Sequence, residues 1–275
     1  MTYSIVARSA DGVALGVAVA SKFLAVGMAV PAAEAGVGAL ATQAYANLAY
    51  RPQGLALLRT GTPAADVVAG LTAADQGRED RQLGVVGPTG SGATYTGKGC
   101  FDWAGGVAGD GYAIQGNILT GPEVVAEMER SWLGSADLPF ADRLLQALAA
   151  GEAAGGDSRG RQSAALYIVS PGGGYGGLSD VAVDLRVDDH RDPVAELARL
   201  YVLHDQLFGH TDPELLLSLE GAVAEEVGAR LTALGYAVDR GLDAGLAAWA
   251  GSANMEERLV EGRIDPVVLE VLRAA

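Results

Sequence analysis

Alternating and unbroken apolar runs predict β-strands through much of the first 210 residues. Tyr3, Ile5 and Ala7 occupy alternate positions, which is the period of a strand. Asp11-Gly12 predicts a tight turn into a second, more uniformly apolar strand. Strands are predicted over residues 1–8, 13–20, 26–47 with a turn near 33–36, 81–96 as a hairpin, 112–117, 164–169 and 181–187.

Helices are predicted between these strands and throughout the C-terminal tail. Thr62-Pro63 and Asp192-Pro193 each combine a capping side chain with a proline at the first helical position. Gly151 is placed to end a helix as its C-cap. The predicted helices are residues 53–59, 62–76, 121–132, 139–150, 192–208, 220–234, 242–250 and 266–272.

The pattern changes near residue 210, which divides the chain into two predicted domains. Residues 1–210 mix strands and helices, whereas residues 214–275 lack strand patterning and have apolar residues at helical spacing. We therefore expect an α+β domain over 1–210 and a small helical module over 214–275, joined by a linker at 209–213. The length of 275 residues allows this division.

Composition excludes some classes of partner. Apolar residues make up 49% of the chain, enough for a substantial core, and the formal charge is −15. A chain this acidic is not expected to bind nucleic acid by charge or to approach anionic membranes. The single cysteine, Cys100, rules out an internal disulfide, and no basic leader segment is visible. These features predict a cytoplasmic protein without a membrane anchor.

Thr2 is the candidate nucleophile. If Met1 is removed, this residue carries a hydroxyl and a free α-amine, whose pKa of about 8 lets it act as a base near neutrality. A threonine paired with its own amine is an established way to activate a weak nucleophile. The alternative is that Thr2 has no catalytic role and simply follows the initiating methionine.

Three polar clusters lie next to predicted strands. Thr42-Gln43 and Gln115-Gly116-Asn117 lie at strand ends, and their amides offer donors for an oxyanion. The loop 155–163 holds several charged residues directly before a buried strand. Together with Thr2, these clusters favour one shared pocket.

Other motifs are better explained by structure than by cofactor chemistry. The glycine-rich stretch 87–94 lacks the lysine of a phosphate loop, and the stretch 172–177 leads to a strand, so both are predicted to be turns. The run 188–192 contains His190, but no metal-ligand spacing is evident. Cys100 has no histidine near it in the sequence. We expect neither a cofactor nor a metal.

Seven motifs in order make the chain resemble the DUF1028 family over roughly residues 1–210. They are residues 2–8, 20–22, 36–43, 81–84, 115–117, 154–166 and 184–190. The tail resembles a peptidoglycan-binding-like domain more briefly, through Gly235-Tyr236, Trp249, Asn254, Glu257-Arg258 and Ile264-Asp265.

The resemblance to DUF1028 implies the N-terminal-nucleophile (Ntn) hydrolase superfamily. It implies a four-layer αββα sandwich and hydrolysis of a small amide or peptide, with Thr2 as nucleophile and Lys22 tuning its amine. From the residues we infer that Asn117 or Gln43 binds the oxyanion. Further candidate substrate-binding residues are Ser21, Thr42, Gln43, Asn47, Gln115, Asp157, Arg159 and Arg161.

Two functions remain open from the sequence. One is an amidohydrolase. The other is a non-catalytic Ntn-like binding or scaffold protein whose C-terminal module contacts a glycan, a peptide or a protein. We expect a homo-oligomer, most simply a dimer, because the helical module is suited to assembly.

Overall fold

Two antiparallel sheets dominate the computed structural model, which describes residues 2–275. The six-stranded sheet has the order β10-β9-β2-β1-β8-β7, and the four-stranded sheet has the order β3-β4-β5-β6. Their strands are β1 (Thr2–Arg8), β2 (Leu15–Ser21), β3 (Pro31–Glu34), β4 (Gly38–Ala44), β5 (Arg81–Val86), β6 (Ala93–Thr96), β7 (Gly105–Gly109), β8 (Tyr112–Asn117), β9 (Ser163–Val169) and β10 (Val181–Val187).

Helices cover the outer face of each sheet. The helices of this region are α1 (Val26–Ala29), α2 (Tyr50–Arg59), α3 (Ala64–Ala74), α4 (Glu123–Gly134), α5 (Phe140–Ala153) and α6 (Pro193–Phe208). Helices α2 and α3 pack on the four-stranded sheet, and α4 and α5 pack on the six-stranded sheet. The chain forms two compact units, and the boundary between Arg199 and Leu200 lies inside α6.

The inner faces of the two sheets meet in a buried layer. Its apolar end is formed by Val6 and Val17 of the six-stranded sheet and by Ala39, Ala41 and Val86 of the four-stranded sheet. We call these five residues the apolar end. Burial of this aliphatic surface stabilises the pair of sheets, at roughly 25 cal/mol per Å² removed from water.

Strand β1 lies in the middle of the six-stranded sheet. It pairs with β2 on one side and with β8 on the other, and Thr2 stands opposite Asn117. Side chains alternate along the strand, so Ser4 and Val6 face the other sheet while Tyr3 faces α4 and α5. By the same alternation, Thr2 belongs to the inner face.

The second unit, Leu200–Ala275, has its own apolar core. It contains α7 (Gly221–Ala233), α8 (Leu242–Ala253), α9 (Pro266–Ala274) and the short strand pair β11 (Leu217–Ser218) and β12 (Arg263–Ile264). Leu231, Trp249 and Leu269 belong to the core. Within it Arg258 and Asp265 form a buried ion pair at 2.7 Å, and Asp265 also caps α9.

The α+β class, the antiparallel sheets and the C-terminal helical region are as the sequence predicts, with local differences. Residues 26–29 form α1 where a strand was expected. Strand β7 was not predicted, because its sequence, Gly-Gly-Val-Ala-Gly, has low strand propensity and is ordered by pairing with β8. The short pair β11–β12 lies in the tail, where no strand was expected.

Two predicted helix boundaries also change. Gly151 lies inside α5, which continues to Ala153. Its lack of a side chain lets α5 approach Met128 and Tyr3 closely. Pro63 is the N-cap of α3, and the Thr62 hydroxyl makes no capping bond to the helix. Among the helices of residues 2–275, none has the length and apolarity needed to cross a bilayer.

Candidate functional site

Uncharged polar side chains fill the other end of the layer between the sheets. They are Ser4, Gln43, Gln82, Gln115 and Asn117, and each is at most 1% exposed. We call these five residues the amide network. A buried amide without a partner costs about 1–3 kcal/mol, so such a cluster is stable only if its members bond to one another.

Gln82 is the centre of the amide network. Its Oε1 accepts from Gln43 Nε2 at 2.8 Å and from Asn117 Nδ2 at 2.9 Å. Its Nε2 donates to Gly116 O at 2.7 Å and to Gly105 O at 3.2 Å. Carbonyl oxygens only accept, so these two bonds fix which end of the Gln82 amide is nitrogen. Gln43 and Asn117 must therefore present their nitrogens to it.

Ser4 links the remaining members. Its hydroxyl donates to Gln43 Oε1 at 2.6 Å and accepts from Gln115 Nε2 at 2.7 Å. Gln115 Oε1 is buried and has no hydrogen-bond partner among the described residues. Among the fully buried side-chain atoms of the network, Gln115 Oε1 is thus the one that lacks a partner within residues 2–275.

Thr2 lies against this network. Its Oγ1 is 3.1 Å from Ser21 Oγ, and the residue is 5% exposed. Its carbonyl oxygen accepts from Gln43 Nε2 at 3.3 Å and from Asn117 Nδ2 at 3.5 Å. Side-chain amides from two different sheets therefore hold the Thr2 backbone.

These bonds conflict with one expectation from the sequence. Asn117 Nδ2 donates to Gln82 and Thr2, and Gln43 Nε2 donates to Gln82, Thr2 and Gln115. An amide nitrogen has only two hydrogens. An oxyanion bound by Asn117 or Gln43 would have to displace bonds that already exist, so the geometry favours a positioning role for both. The atom that Asn117 has left to offer is Oδ1, an acceptor.

A cavity of about 470 Å³ opens beside Asn117. It is lined by Ala44, Tyr45, Asp80, Gly99, Cys100, Phe101, Asn117, Ile118 and Arg159. Ala44 has φ 65° and Ile118 has φ 51°, a left-handed conformation that costs about 1–3 kcal/mol for residues other than glycine. Each directly follows a member of the amide network. Strained backbone of this kind is concentrated at functional sites.

The loop 155–163 is tied to the end of β2 by Asp157. This carboxylate, 8% exposed, accepts from Lys22 N at 2.7 Å and from Arg159 N at 2.9 Å. It also pairs with the Arg159 guanidinium at 3.4 Å. The loop is thereby held where Arg159 borders the cavity.

Lys22 and Arg161 make contacts that brace the same loop. Lys22 Nζ donates to Arg161 O at 3.2 Å. Arg161 pairs with Glu152, and with Asp192 at 3.4 Å. Glu152 also accepts from the Tyr3 hydroxyl, whose pKa is raised well above its ordinary value, first by burial and then by this carboxylate. Lys22 thus bonds two residues of the loop, Asp157 through its backbone N–H and Arg161 through its Nζ.

Thr42 and Asn47 belong to a different cluster. Thr42 Oγ1 donates to Asn47 O at 3.4 Å, and Asn47 Nδ2 donates to Asp75 at 3.1 Å. Asp75 also accepts from Arg81 Nε and from the Tyr50 hydroxyl, both at 2.9 Å. These bonds, that to Arg81 above all, lower the pKa of Asp75. We call this the Asp75 cluster; it ties α2 and α3 to β5.

Residues 2–197 match the family model described as "Family of unknown function (DUF1028)". The chain belongs to DUF1028. A solved structure of protein SPO2555 from Silicibacter pomeroyi, titled with the same family, is 31% identical, with a TM-score of 0.67, and the match covers 82% of this chain and 92% of that one. Residues 207–272 match the model described as "Putative peptidoglycan binding domain". No protein with a curated description matches this DUF1028 chain.

Two network members of this DUF1028 protein were not singled out from the sequence. Gln82 begins an otherwise apolar run, and Ser4 lies between Tyr3 and Ile5. A polar residue on the buried face of a central strand is the signal that identifies both, because such a residue needs a partner. Among the cavity residues, Asn117 and Arg159 are candidates from the sequence. Asp80 and Tyr45 carry no comparable signal, because they lie just outside the ends of strands.

The remaining candidates lie outside the amide network. Cys100 borders the cavity, and burial raises the pKa of its thiol, which disfavours the reactive thiolate. His190 Nδ1 accepts from Asp192 N at 3.1 Å, as in a local turn. Within the described part of the chain, no three His, Cys, Asp or Glu side chains are grouped as metal ligands would be.

Proposed function

We propose that this protein is an amidohydrolase with Thr2 as its N-terminal nucleophile. The two sheets enclosed by α2/α3 and α4/α5 would then be the four-layer αββα sandwich of Ntn hydrolases. The observation that carries the proposal is the position of Thr2. Its hydroxyl and carbonyl bond Ser21, Gln43 and Asn117, and Asn117 in turn lines a cavity whose size suits a small ligand.

Removal of Met1 supplies the base that this reaction requires. Thr2 Oγ1 attacks the substrate carbonyl carbon while the freed α-amine takes the hydroxyl proton. The C–N bond then breaks, the same proton passes to the leaving amine, and an ester on Thr2 remains. Water attacks this ester, its proton passes through the α-amine to Thr2 Oγ1, and the acid leaves.

The amide network orients this centre. Gln43 and Asn117 fix the Thr2 carbonyl. Asn117 Oδ1 is available to accept a hydrogen bond from the Thr2 α-amine, and the lone pair of the amine nitrogen would then point away from Asn117. Asp157 holds Arg159 beside the cavity, and Lys22 and Arg161 brace their common loop. Thr42 and Asn47 support the site indirectly by anchoring α2.

The test begins with the mass of the N-terminal peptide, which should show Thr2 as the first residue. Against a library of small amides and dipeptides, Thr2→Ala should lower kcat by at least about a thousandfold, whereas Thr2→Ser should retain turnover. Thr232→Ala is the matched control, because Thr232 is an exposed helical threonine whose hydroxyl donates to Gly228 O within the same helix. Full activity in protein that keeps Met1 would eliminate this mechanism.

A non-catalytic binding protein is the second candidate. It is favoured by the match of residues 207–272 to a peptidoglycan-binding model and by the bond of Lys22 Nζ to Arg161 O, which gives Lys22 a role in bracing the loop. In that case the C-terminal module contacts a glycan, a peptide or a second copy of the chain. Cosedimentation of the full chain with purified peptidoglycan, unchanged by Thr2→Ala, together with light scattering, distinguishes these outcomes from hydrolysis.

A further inference from the structure

The cavity beside the amide network carries one anionic and one cationic side chain. The Asp80 carboxylate lies against Gly99, close enough that a Cβ on that glycine would clash with it. Arg159 lies on the side of Ile118, whose carbonyl accepts from Ser158 N at 3.3 Å. Asp80, which directly precedes β5, therefore borders the cavity on the side of Gly99, and Arg159 of the loop 155–163 borders it on the side of Ile118.

Between these charges the lining is amide and apolar. Asn117 and Ile118 come from the end of β8, and Phe101 and Tyr45 stand at the rim, 73% and 78% exposed. Exposed aromatic rings beside a cavity provide contact area for an apolar side chain of a ligand.

We propose that this cavity binds a short peptide in its zwitterionic form, with the ammonium group at Asp80 and the carboxylate at Arg159. The inference rests on the proposed function in one respect, because it places the scissile amide next to Asn117 and hence next to Thr2.

Charge and size both favour a zwitterion. The chain has a formal charge of −15, which repels ligands of net negative charge, so one arginine is a weak site for a dianion. A zwitterion has no net charge, and each of its ends gains a charge-assisted bond. A volume of about 470 Å³ lies in the range of small-ligand sites and suits two or three residues.

The experiment measures binding calorimetrically in the full-length Thr2→Ala protein, which prevents turnover. Three probes are compared: the dipeptide Ala-Phe, its N-acetyl form and its C-terminal amide. Blocking either charged end should weaken binding about tenfold or more, as expected for loss of one charge-assisted bond.

Variants then assign each end of the peptide to a residue. With Asp80→Asn, the free and acetylated peptides should bind equally. With Arg159→Gln, the acid and the amide should bind equally, whereas Arg159→Lys should keep part of the preference for the acid. Asp66→Asn and Arg130→Gln, exposed residues on α3 and α4, are matched controls and should keep both preferences. Thermal unfolding verifies that each variant is folded.

Equal binding of all three probes, or an equal loss for all probes in folded Asp80→Asn and Arg159→Gln proteins, would overturn the inference. Hydrolysis of Ala-Phe by the protein with native Thr2 is measured separately. Binding preferences without hydrolysis support the inference and contradict the proposed function. Hydrolysis without these preferences supports the function and contradicts the inference.

Discussion

The two ends of the layer between the sheets use the same strands but bury opposite kinds of side chain. On β1, Val6 belongs to the apolar end and Ser4 to the amide network, two positions away. On β4, Ala41 and Gln43 are related in the same way. A two-residue step keeps the side chain on the same face, so one strand surface changes from aliphatic to amide without a change in backbone.

The difference implies that the apolar end and the amide network contribute unequally to the stability of the fold. Burial of aliphatic side chains favours folding directly, whereas hydrogen bonds within a buried network replace bonds to water and contribute about 0.5–1.5 kcal/mol each. The amide network therefore contributes less stability than an apolar filling of the same space would. In the proposed function, the network orients groups beside the cavity, for which an apolar filling has no donors or acceptors.

The largest effect is expected when a charge is placed in the apolar end. Val17→Asp puts a carboxylate at a fully buried position without a partner, and should reduce the free energy of unfolding by more than about 4 kcal/mol. Val13→Asp is the control, because Val13 is 50% exposed and should change stability by less than about 0.5 kcal/mol. Denaturant unfolding measures both; a Val17→Asp protein as stable as its control would contradict the assignment of this end.

Gln82→Leu tests the amide network by making it resemble the apolar end. The leucine leaves the nitrogens of Gln43 and Asn117 without their common acceptor, so we expect a loss of about 2–4 kcal/mol. Gln53→Leu, on the exposed face of α2, is the matched control. If folded Gln82→Leu protein also shows weakened ligand binding, the network orients the site; unchanged stability would show that leucine fills the space equally well.

The sequence predicts much of this comparison because strand period and burial are local properties. Gln43, Gln115 and Asn117 were expected in one pocket, and the structure joins them through Ser4 and Gln82. Thr42 lies elsewhere because it is adjacent to Gln43 in the strand and so points to the opposite face, a consequence that period alone implies.

Other features depend on tertiary pairing and could not be obtained from the sequence. The Gly-rich strand β7 exists because β8 supplies its partners. Lys22 bonds the loop at Arg161 O because that loop packs against the end of β2, a contact between positions far apart in the chain. The cavity combines residues from five separate segments, and no local pattern predicts that they meet.

Asp75→Asn tests the charged Asp75 cluster, which lies on the outer face of the four-stranded sheet, opposite to the face that carries Gln43 and Gln82 of the amide network. The bond from Arg81 lowers the pKa of Asp75 in the folded protein, so its ionised form stabilises the fold above the unfolded pKa of about 4. We expect a loss of about 1–3 kcal/mol at pH 7, with the difference between the two proteins shrinking as the pH falls below 4. Asp66→Asn, at an exposed position on α3, is the matched control and should change the free energy of unfolding by less than about 0.5 kcal/mol at pH 7. A difference independent of pH would contradict the ionised role.

The smallest effect is expected where the network is already incomplete. Gln115 Oε1 has no hydrogen-bond partner within residues 2–275, so Gln115→Met removes an unsatisfied oxygen. It also removes the bonds from Gln115 Nε2 to Ser4 Oγ at 2.7 Å and to Ser4 O at 3.4 Å, of which the second is long and weak. The gain and the loss are of similar size, and methionine has a similar shape, so unfolding free energy should change by less than about 1 kcal/mol. A loss as large as that of Gln82→Leu would mean that Gln115 is as central as Gln82. The contrast between these two glutamines therefore measures whether stability follows the number of satisfied bonds or the burial of amides as such.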